Sequence, residues 1–375
     1  MQFLAAAGGL TLILLVLWEG FETIIMPRRV TRRFRLTRLF YRRTWVPWVR
    51  LVQRWIPARS RETWLSFFGP ASPLILLSLW AGGLIAGFAL LQWAAGSAVL
   101  TRDGSSGLLT DLYLSGTTFF TLGLGDAVPT GALARLLVVL ESGLGFAFLA
   151  LIIGYLPALN QSFSRREVAI SLLDARAGSP PTAGEMLRRH GHEAGREGLR
   201  QLLHQWELWS AELLEGHLSY PVLAYFRSQH QNQSWLAALT AILDTCALVM
   251  AGVEGACARQ AELTFAMARH AVVDLCLIFR TRPHEASGER LPAAEFARLQ
   301  SLLAGSGIAL HAEVSAERLN GLRQSYEPYL QALAGHFRFT IPPWLPGEGR
   351  ADNWQARSGA ASVSAGRAQN RDEHF

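Results

Sequence analysis

A short polar stretch between two long apolar runs carries the groups of this chain that could do chemistry. The stretch "TTFFTLGLGDAVP", Thr117 to Pro129, combines threonine hydroxyls, two glycines separated by one leucine and a single acid, Asp126. Its neighbours put it at membrane depth, where a non-helical backbone survives only if protein buries it or it lines a water-filled path. We therefore expect an ordered loop that is held by protein or faces an aqueous pathway.

The loop resembles the pore loop of the potassium channel superfamily. The signature of that family is Thr-x-x-Thr-(Val/Ile)-Gly-(Tyr/Phe)-Gly-Asp, and Leu122 is a conservative change from it. Its fixed positions correspond to five residues of this chain: Thr118, Thr121, Gly123, Gly125 and Asp126. The sequence "GLGD" is most similar to the second pore loop of two-pore-domain potassium channels. The resemblance covers Ala71 to about Leu156, under a quarter of the chain.

The resemblance implies a selectivity filter in which rings of backbone carbonyls replace the hydration shell of K⁺. It assigns the filter to Thr121, Leu122, Gly123, Leu124, Gly125 and Asp126, with potassium ions at the first four. Successive carbonyls point toward one axis when right- and left-handed dihedrals alternate, and glycine adopts the left-handed ones without a Cβ penalty. Thr121 would add hydroxyl oxygens at the inner end, and Asp126 would tie the outer end to the loop behind it.

The resemblance also implies supporting residues around the filter. Gly107 to Phe120 is expected to form a short pore helix whose partially negative end favours a cation. Within it, Thr117, Thr118 and Phe120 are the predicted supports. Leu124 stands where most family members carry an aromatic residue, and Phe120 replaces a common threonine. Leucine has no hydroxyl to bond the pore helix, so we expect apolar side chains to pack around the filter. This apolar cuff would be formed by Tyr113, Phe119, Phe120, Leu122 and Leu124.

The third apolar run would be the inner helix that lines the pore. Gly143 and Gly145 lie in its middle, where each costs about 1 kcal/mol relative to alanine. They are either a gating hinge or sites of close packing against another helix. Glu141 is an intramembrane acid, which is costly, so it either faces the cavity or bonds behind the filter.

Composition and hydropathy predict a membrane protein with a soluble part. Half of the 375 residues are hydrophobic, and a transmembrane helix needs roughly 20 mostly apolar residues. Three segments qualify: Phe3 to Met26, Ala71 to Ala95 and Ala132 to Leu156. The segment from Trp235 to Ala258 is long enough to be a fourth, but Asp244 at its centre favours a buried core helix.

The charge distribution predicts the orientation in the membrane. All 35 basic residues are arginine, and twelve lie between Arg28 and Arg61. Arginine excess marks the cytoplasmic side, so the N-terminus should face out and the chain after the third span should lie in the cytoplasm. The membrane is expected to be a plasma or inner membrane of the cell. Because the excess is local, it indicates contact with anionic lipid over 28–61 and no nucleic-acid partner. The predicted lipid contacts are Phe34, Leu36, Phe40, Trp45, Trp48 and Trp55.

Arginine also recurs at every third position in that segment, at Arg29, Arg32, Arg35 and Arg38, a spacing that resembles a voltage-sensing helix. The polar residues between them favour a juxtamembrane helix on the lipid surface instead. Glu19 and Glu22, at the end of the first span, are most simply interpreted as interface residues near these arginines; the alternative is a specific role between helices.

The remaining half of the chain has helical periodicity throughout. Thr182 and Glu185 form a capping box that predicts a helix from Met186. Further helices are predicted over Glu193 to Tyr220, Ser234 to Cys257, Ala258 to Arg280, Pro292 to Leu303 and Val314 to Ala334. The three cysteines fit neither a disulfide framework nor a metal site, and the chain after Gly347 has the composition of a disordered tail.

These patterns predict an all-α membrane protein with three transmembrane helices, a re-entrant pore helix with a selectivity filter, and a cytoplasmic α-helical bundle. The expected domains are an anchor at 1–27, a basic segment at 28–65, a pore domain at 66–158, the bundle at 159–345 and a tail at 346–375. One pore loop cannot surround an ion, so four copies must, and a homotetramer follows.

The expected function is a tetrameric cation channel that prefers potassium, with K⁺ as permeant ion and no cofactor. The sequence shows no arrangement of a nucleophile and a base that would indicate an enzyme. The alternative is a membrane-anchored scaffold or receptor whose pore loop is vestigial and whose cytoplasmic domain is the active part.

Overall fold

The computed structural model of the chain is mostly helical and describes residues 1–26, 35–102, 104–191, 193–229, 232–253, 257–284, 288–308 and 312–347. The arginines from 28 to 33, Phe34 and the predicted tail from 348 onward lie outside the described residues. The helices of the N-terminal half are α1 (Gln2–Gly20), which continues as a π-helical turn (Phe21–Ile25), α2 (Leu36–Trp55), α3 (Arg61–Ser66), α4 (Phe68–Ala94), α5 (Leu108–Phe119) and α6 (Ala132–Ala177).

Seven helices follow α6 and pack into one bundle. They are α7 (Ala183–His190), α8 (Glu193–Ser219), α9 (Trp235–Gly252), α10 (Ala258–Phe279), α11 (Ala293–Ala304), α12 (Ala312–Gln324) and α13 (Glu327–Phe337). Two short strands, β1 (Val99–Thr101) and β2 (Ala127–Pro129), pair antiparallel on either side of α5. The fold is mostly helical, as expected, and this short strand pair was not predicted.

In the described parts of the chain, four helical segments are long and apolar enough to cross a membrane: Gln2–Ile25, Ala58–Ala94, Ala132–Ala177 and Trp235–Gly252. The first three correspond to the predicted spans to within a residue at their C-terminal ends or extend beyond them, which makes this a multi-pass membrane protein. The fourth differs because 89% of its apolar window is buried within the protein, against 28%, 44% and 11% for the others. It is the core helix of the bundle.

The acid at the centre of α9 is explained by its partners. Asp244 is fully buried, and its carboxylate accepts hydrogen bonds from Arg290 at 2.7 Å and from the Tyr326 hydroxyl at 2.6 Å. Tyr326 lies between α12 and α13, with Pro328 in the first turn of α13. The single helix predicted over Val314 to Ala334 is therefore wrong, and the break places Tyr326 against Asp244.

The first span packs closely on α4. A Cβ added to Gly9 would lie 2.6 Å from the Gly87 carbonyl oxygen, and one added to Gly87 would lie 2.6 Å from Cγ1 of Ile13. Small residues let the backbones of membrane helices approach in this way. The first span is thus a packed part of the membrane domain and more than a tether.

Glu19 and Glu22 hold the start of α2. Glu19 is fully buried and accepts the backbone N–H groups of Leu36 at 3.0 Å and Thr37 at 3.1 Å, which satisfies the free donors of a helix N-terminus. Glu22 lies 3.7 Å from the Arg35 guanidinium. The interpretation of Glu19 as a plain interface residue is wrong, since it caps α2.

The helix α2 packs against the bundle through one face. Trp45 is 3% exposed, lies beside the rings of Phe68 and Tyr225 and donates to the His336 carbonyl at 2.8 Å. Its predicted role as a lipid contact is therefore wrong. Trp55 is 71% exposed and remains free for such a contact.

The inner helix does not end at Leu156. The helix α6 runs through Pro157 to Ala177, so the predicted boundary between 66–158 and 159–345 lies inside one helix. Proline removes one helical hydrogen bond, but Tyr155 and Leu159 on either side of it pack with Val222 and Leu223 of the bundle. Those contacts hold the helix on both sides of the proline.

The capping box forms in part. The Thr182 hydroxyl accepts the Glu185 N–H at 3.3 Å, and α7 begins at Ala183 rather than at Met186. The Glu185 carboxylate bonds Arg188 and Arg189 and lies apart from the Thr182 N–H, which donates to Ala177. The three cysteines are free and buried.

Candidate functional site

The predicted pore helix is α5, and it lies between α4 and α6. Its twelve residues extend about 18 Å, which is too short for a hydrocarbon core of about 30 Å. Leu114 and Phe119 lie on a face of α5 that is buried within the chain, and the Phe119 ring contacts the Phe148 ring of α6. A short helix enclosed by two long ones is therefore the platform for the loop that follows.

The end of α5 sets the start of the predicted filter. The Leu122 N–H donates to the Thr117 carbonyl at 2.8 Å, and the Thr121 N–H donates to the Thr118 carbonyl at 3.0 Å. This is the Schellman pattern, in which one residue takes a left-handed conformation that glycine usually supplies. Here that residue is Thr121, with φ of 56°. Thr117 and Thr118 thus support the loop through their backbone carbonyls.

The backbone of the loop alternates in handedness. Positive φ angles occur at Thr121 (56°), Gly123 (57°) and Gly125 (75°), while Leu122 and Leu124 between them have negative φ. The left-handed dihedrals expected for the two glycines are observed. The third was missed, because a β-branched residue with positive φ is uncommon and nothing in the sequence marks it.

Polar contacts fix the outer end of the loop. Asp126 accepts a hydrogen bond from the Tyr113 hydroxyl of α5 at 2.7 Å. Immediately after it, β2 pairs with β1, with Leu100 opposite Val128. The tie to the loop behind, which was expected of Asp126, is made by this strand pair, whereas Asp126 itself binds the pore helix.

The predicted apolar cuff does not form within one protomer. Phe120, Leu122 and Leu124 are 60%, 61% and 63% exposed. Phe119 is buried and touches Phe120 edge to face, with ring centroids 5.4 Å apart. Bracing inside the protomer is instead polar, through Tyr113 and Asp126.

The two glycines of the inner helix have different surroundings. A Cβ on Gly145 would lie 2.1 Å from the carbonyl oxygen of Phe119, whereas a Cβ on Gly143 would meet no atom of the protomer within 4 Å. Gly145 therefore has a packing reason, because it lets α6 touch the end of α5. The hinge role of either residue stays a prediction.

Glu141 lies behind the pore helix. It is fully buried and its carboxyl contacts the Ser115 hydroxyl of α5. Ser115 also lies 2.9 Å from the Ile85 carbonyl of α4, so it joins three helices. Of the two placements considered for Glu141, the structure has the one behind the loop. Ser115 was not singled out from the sequence, since one serine in an apolar helix carries no signal.

Two more buried polar residues belong to this region, Asp111 on α5 and Gln92 on α4. Asp111, one turn before Ser115, accepts the Ser97 hydroxyl at 2.5 Å, and Gln92 donates to the Ala134 carbonyl at 3.1 Å. They join the loop after α4 and the start of α6 to the rest of the site. Among the described residues, no group of three or more His, Cys, Asp or Glu side chains could hold a metal ion.

This region of the chain matches a known family of domains. The family described as "Ion channel" matches residues 81–161, from the middle of α4 to the middle of α6, and such domains are typically non-enzymatic. The chain therefore contains an ion-channel domain. It is also similar to the uncharacterized membrane protein YdjJ of Bacillus subtilis, at 27% identity over 187 residues. That match spans 48% of this chain and 52% of YdjJ. No solved structure matches the chain.

Proposed function

We propose that the protein is a tetrameric cation channel that prefers potassium. Ions would pass along the backbone oxygens of Thr121 to Gly125, contributed by four subunits, with K⁺ held at Thr121, Leu122, Gly123 and Leu124. The observation that carries the proposal is the alternation of positive φ at positions 121, 123 and 125, inside the ion-channel domain. Alternation of this kind turns successive carbonyls to one side, which suits a dehydrated cation.

The exposure of the loop supports assembly around an axis. All five residues from Thr121 to Gly125 are exposed, and so is the apolar side chain of Phe120 just before them. The sequence holds one such loop, so a ring needs further copies of the chain, and cyclic symmetry supplies them. We propose four.

Packing supports the proposed orientation. The basic helix α2 contacts the bundle through Trp45 and His336. In the proposed orientation both would lie on the same side of the membrane, the side that an arginine excess marks as cytoplasmic. Four arginines of α2 are exposed and suited to anionic lipid: Arg42, Arg43, Arg50 and Arg54. The strand pair and Asp126 would then face outward.

Ion flux through purified protein in liposomes, with K⁺ and Na⁺ compared, tests the proposal. The informative variant is Gly123→Ala, because alanine is strained at a φ of 57°. Gly104→Ala is the matched control, since Gly104 has φ of 72° and a free Cβ direction outside the predicted filter. We expect G123A to abolish K⁺ flux with the tetramer intact and G104A to conduct. Equal flux in both variants would overturn the proposal and favour the scaffold.

A further inference from the structure

The contacts of Ser115 with Glu141 and Ile85 need two protons, and an ionised Glu141 would leave only one, that of the serine hydroxyl. The Ser115 hydroxyl meets two oxygens, the Ile85 carbonyl at 2.9 Å and one carboxyl oxygen of Glu141. A serine hydroxyl carries one proton, and a backbone carbonyl can only accept. If Glu141 were a carboxylate, one of the two oxygen pairs would face each other without a proton.

A proton on Glu141 satisfies both contacts. The carboxylic acid donates to the Ser115 oxygen, and the Ser115 hydroxyl donates to Ile85. We propose that Glu141 is held as a neutral carboxylic acid, and that its proton is a pH-sensitive link between the inner helix α6 and the pore helix α5. At alkaline pH the acid gives its proton to hydroxide, forming water and a buried carboxylate, and one of the two Ser115 contacts is then left without a proton.

The surrounding charges favour the neutral form. Glu141 is fully buried, and burial disfavours the charged form of a carboxyl group; the acid of α5, Asp111, is occupied with the Ser97 hydroxyl. The sequence of α4 contains no ionisable residue. On α6 itself, Arg135 is exposed and directed to the Pro129 carbonyl, six positions from Glu141. A buried carboxylate at Glu141 would thus have no cationic partner on these three helices, which is costly.

Loss of a Ser115 contact would change the position of α5, and α5 supports the predicted filter. Ser115 lies two residues before Thr117, whose carbonyl accepts the Leu122 N–H. The effect on conduction rests on the proposed function, whereas the protonation of Glu141 does not. We therefore expect wild-type flux to fall at alkaline pH, by up to about tenfold per pH unit once the ionised form dominates, as for any one-proton equilibrium.

The decisive variant is Glu141→Gln, whose amide can donate to Ser115 and cannot ionise. Whatever its flux at neutral pH, E141Q should show no loss between neutral and alkaline pH. Asp111→Asn is the matched control, because it removes the other buried acid, which lies on α5 and bonds Ser97, and it should keep the wild-type pH response. An E141Q protein with the same alkaline loss as the wild type would overturn the inference.

Infrared difference spectroscopy gives a readout that does not need conduction. The wild type should show the C=O stretch of a protonated carboxylic acid, E141Q should lack it, and Ser115→Ala should shift it because a hydrogen bond is removed. A wild-type spectrum without that band in the neutral range would refute the neutral acid. If no variant conducts while the band is present, the proposed function fails and the protonation stands.

Discussion

The contact of Gly145 with the pore helix yields the sharpest test of how the inner helix positions the loop. In Gly145→Ala the new Cβ would start 2.1 Å from the Phe119 carbonyl oxygen and 3.0 Å from its carbon. The obstacle is backbone, which cannot rotate away as a side chain would. Moving the Cβ out to an ordinary contact, which begins at 3.4 Å, separates α6 from the end of α5 by about 1.3 Å.

The expected free energies of the two glycine variants have opposite signs. Overpacking costs typically 1–3 kcal/mol, and a backbone clash puts Gly145→Ala at about 3 kcal/mol. Alanine recovers about 1 kcal/mol of helix propensity, so a net destabilisation of about 2 kcal/mol is expected. Gly143→Ala meets no atom of the protomer and should gain about 1 kcal/mol. The two variants should thus differ by about 3 kcal/mol.

Thermal unfolding in detergent, followed by tryptophan fluorescence, ranks the two variants, and liposome flux reports on the loop. G145A should unfold first and conduct less, because the Phe119 carbonyl lies just before the Thr121 turn. G143A should be at least as stable as the wild type. A G145A protein as stable as G143A, with unchanged flux, would show that α6 and α5 do not meet as described.

Three further outcomes are expected. Tyr113→Phe removes the donor to Asp126 and should lower the ratio of K⁺ to Na⁺ permeability without changing the fold, as measured from reversal potentials. Burial, aided by nearby positive charge, lowers the pKa of His217 to about 3, against about 6.5 when unfolded. Because the unfolded state then binds the extra proton, stability should fall by about 2 kcal/mol from neutral pH to about pH 5, a loss that His217→Gln should abolish in acid unfolding curves. Asp244→Asn leaves Arg290 without its closest carboxylate and should cost about 3 kcal/mol in denaturant unfolding; a change below 1 kcal/mol would contradict the buried pair.

Features set by local pattern could be predicted from the sequence, and features set by contacts between distant segments could not. The three spans and the pore helix follow from runs of apolar residues, and Gly123 and Gly125 follow from their freedom at positive φ. The left-handed Thr121 could not be predicted, since its conformation is imposed by the end of α5. Glu19 illustrates the same limit, because its partners at the start of α2 lie 17 and 18 residues away.

The bundle shows this limit on a larger scale. Periodicity predicted its helices but not the break before α13, for which Pro328 is a local signal. The partner of Tyr326 at that break, Asp244, lies 82 residues away and has no local signal. The continuation of α6 past Pro157 is accompanied by contacts with Val222 and Leu223, so there the local signal of a proline was overridden by packing that only the folded chain contains.

The unbroken course of α6 gives the molecule a mechanical lever. From Gly145 to Ala177 the helix extends about 48 Å, and Arg166 clamps its lower part to the Leu223 and Phe226 carbonyls at 2.8 and 3.0 Å. A tilt of about 5° at Gly145 displaces the far end by about 4 Å over that length. Conversely, a shift of a few ångströms of the far end of α6 within the bundle corresponds to a small rotation of α6 beside Phe119. A small movement of the bundle would therefore move the end of α5 that precedes the loop.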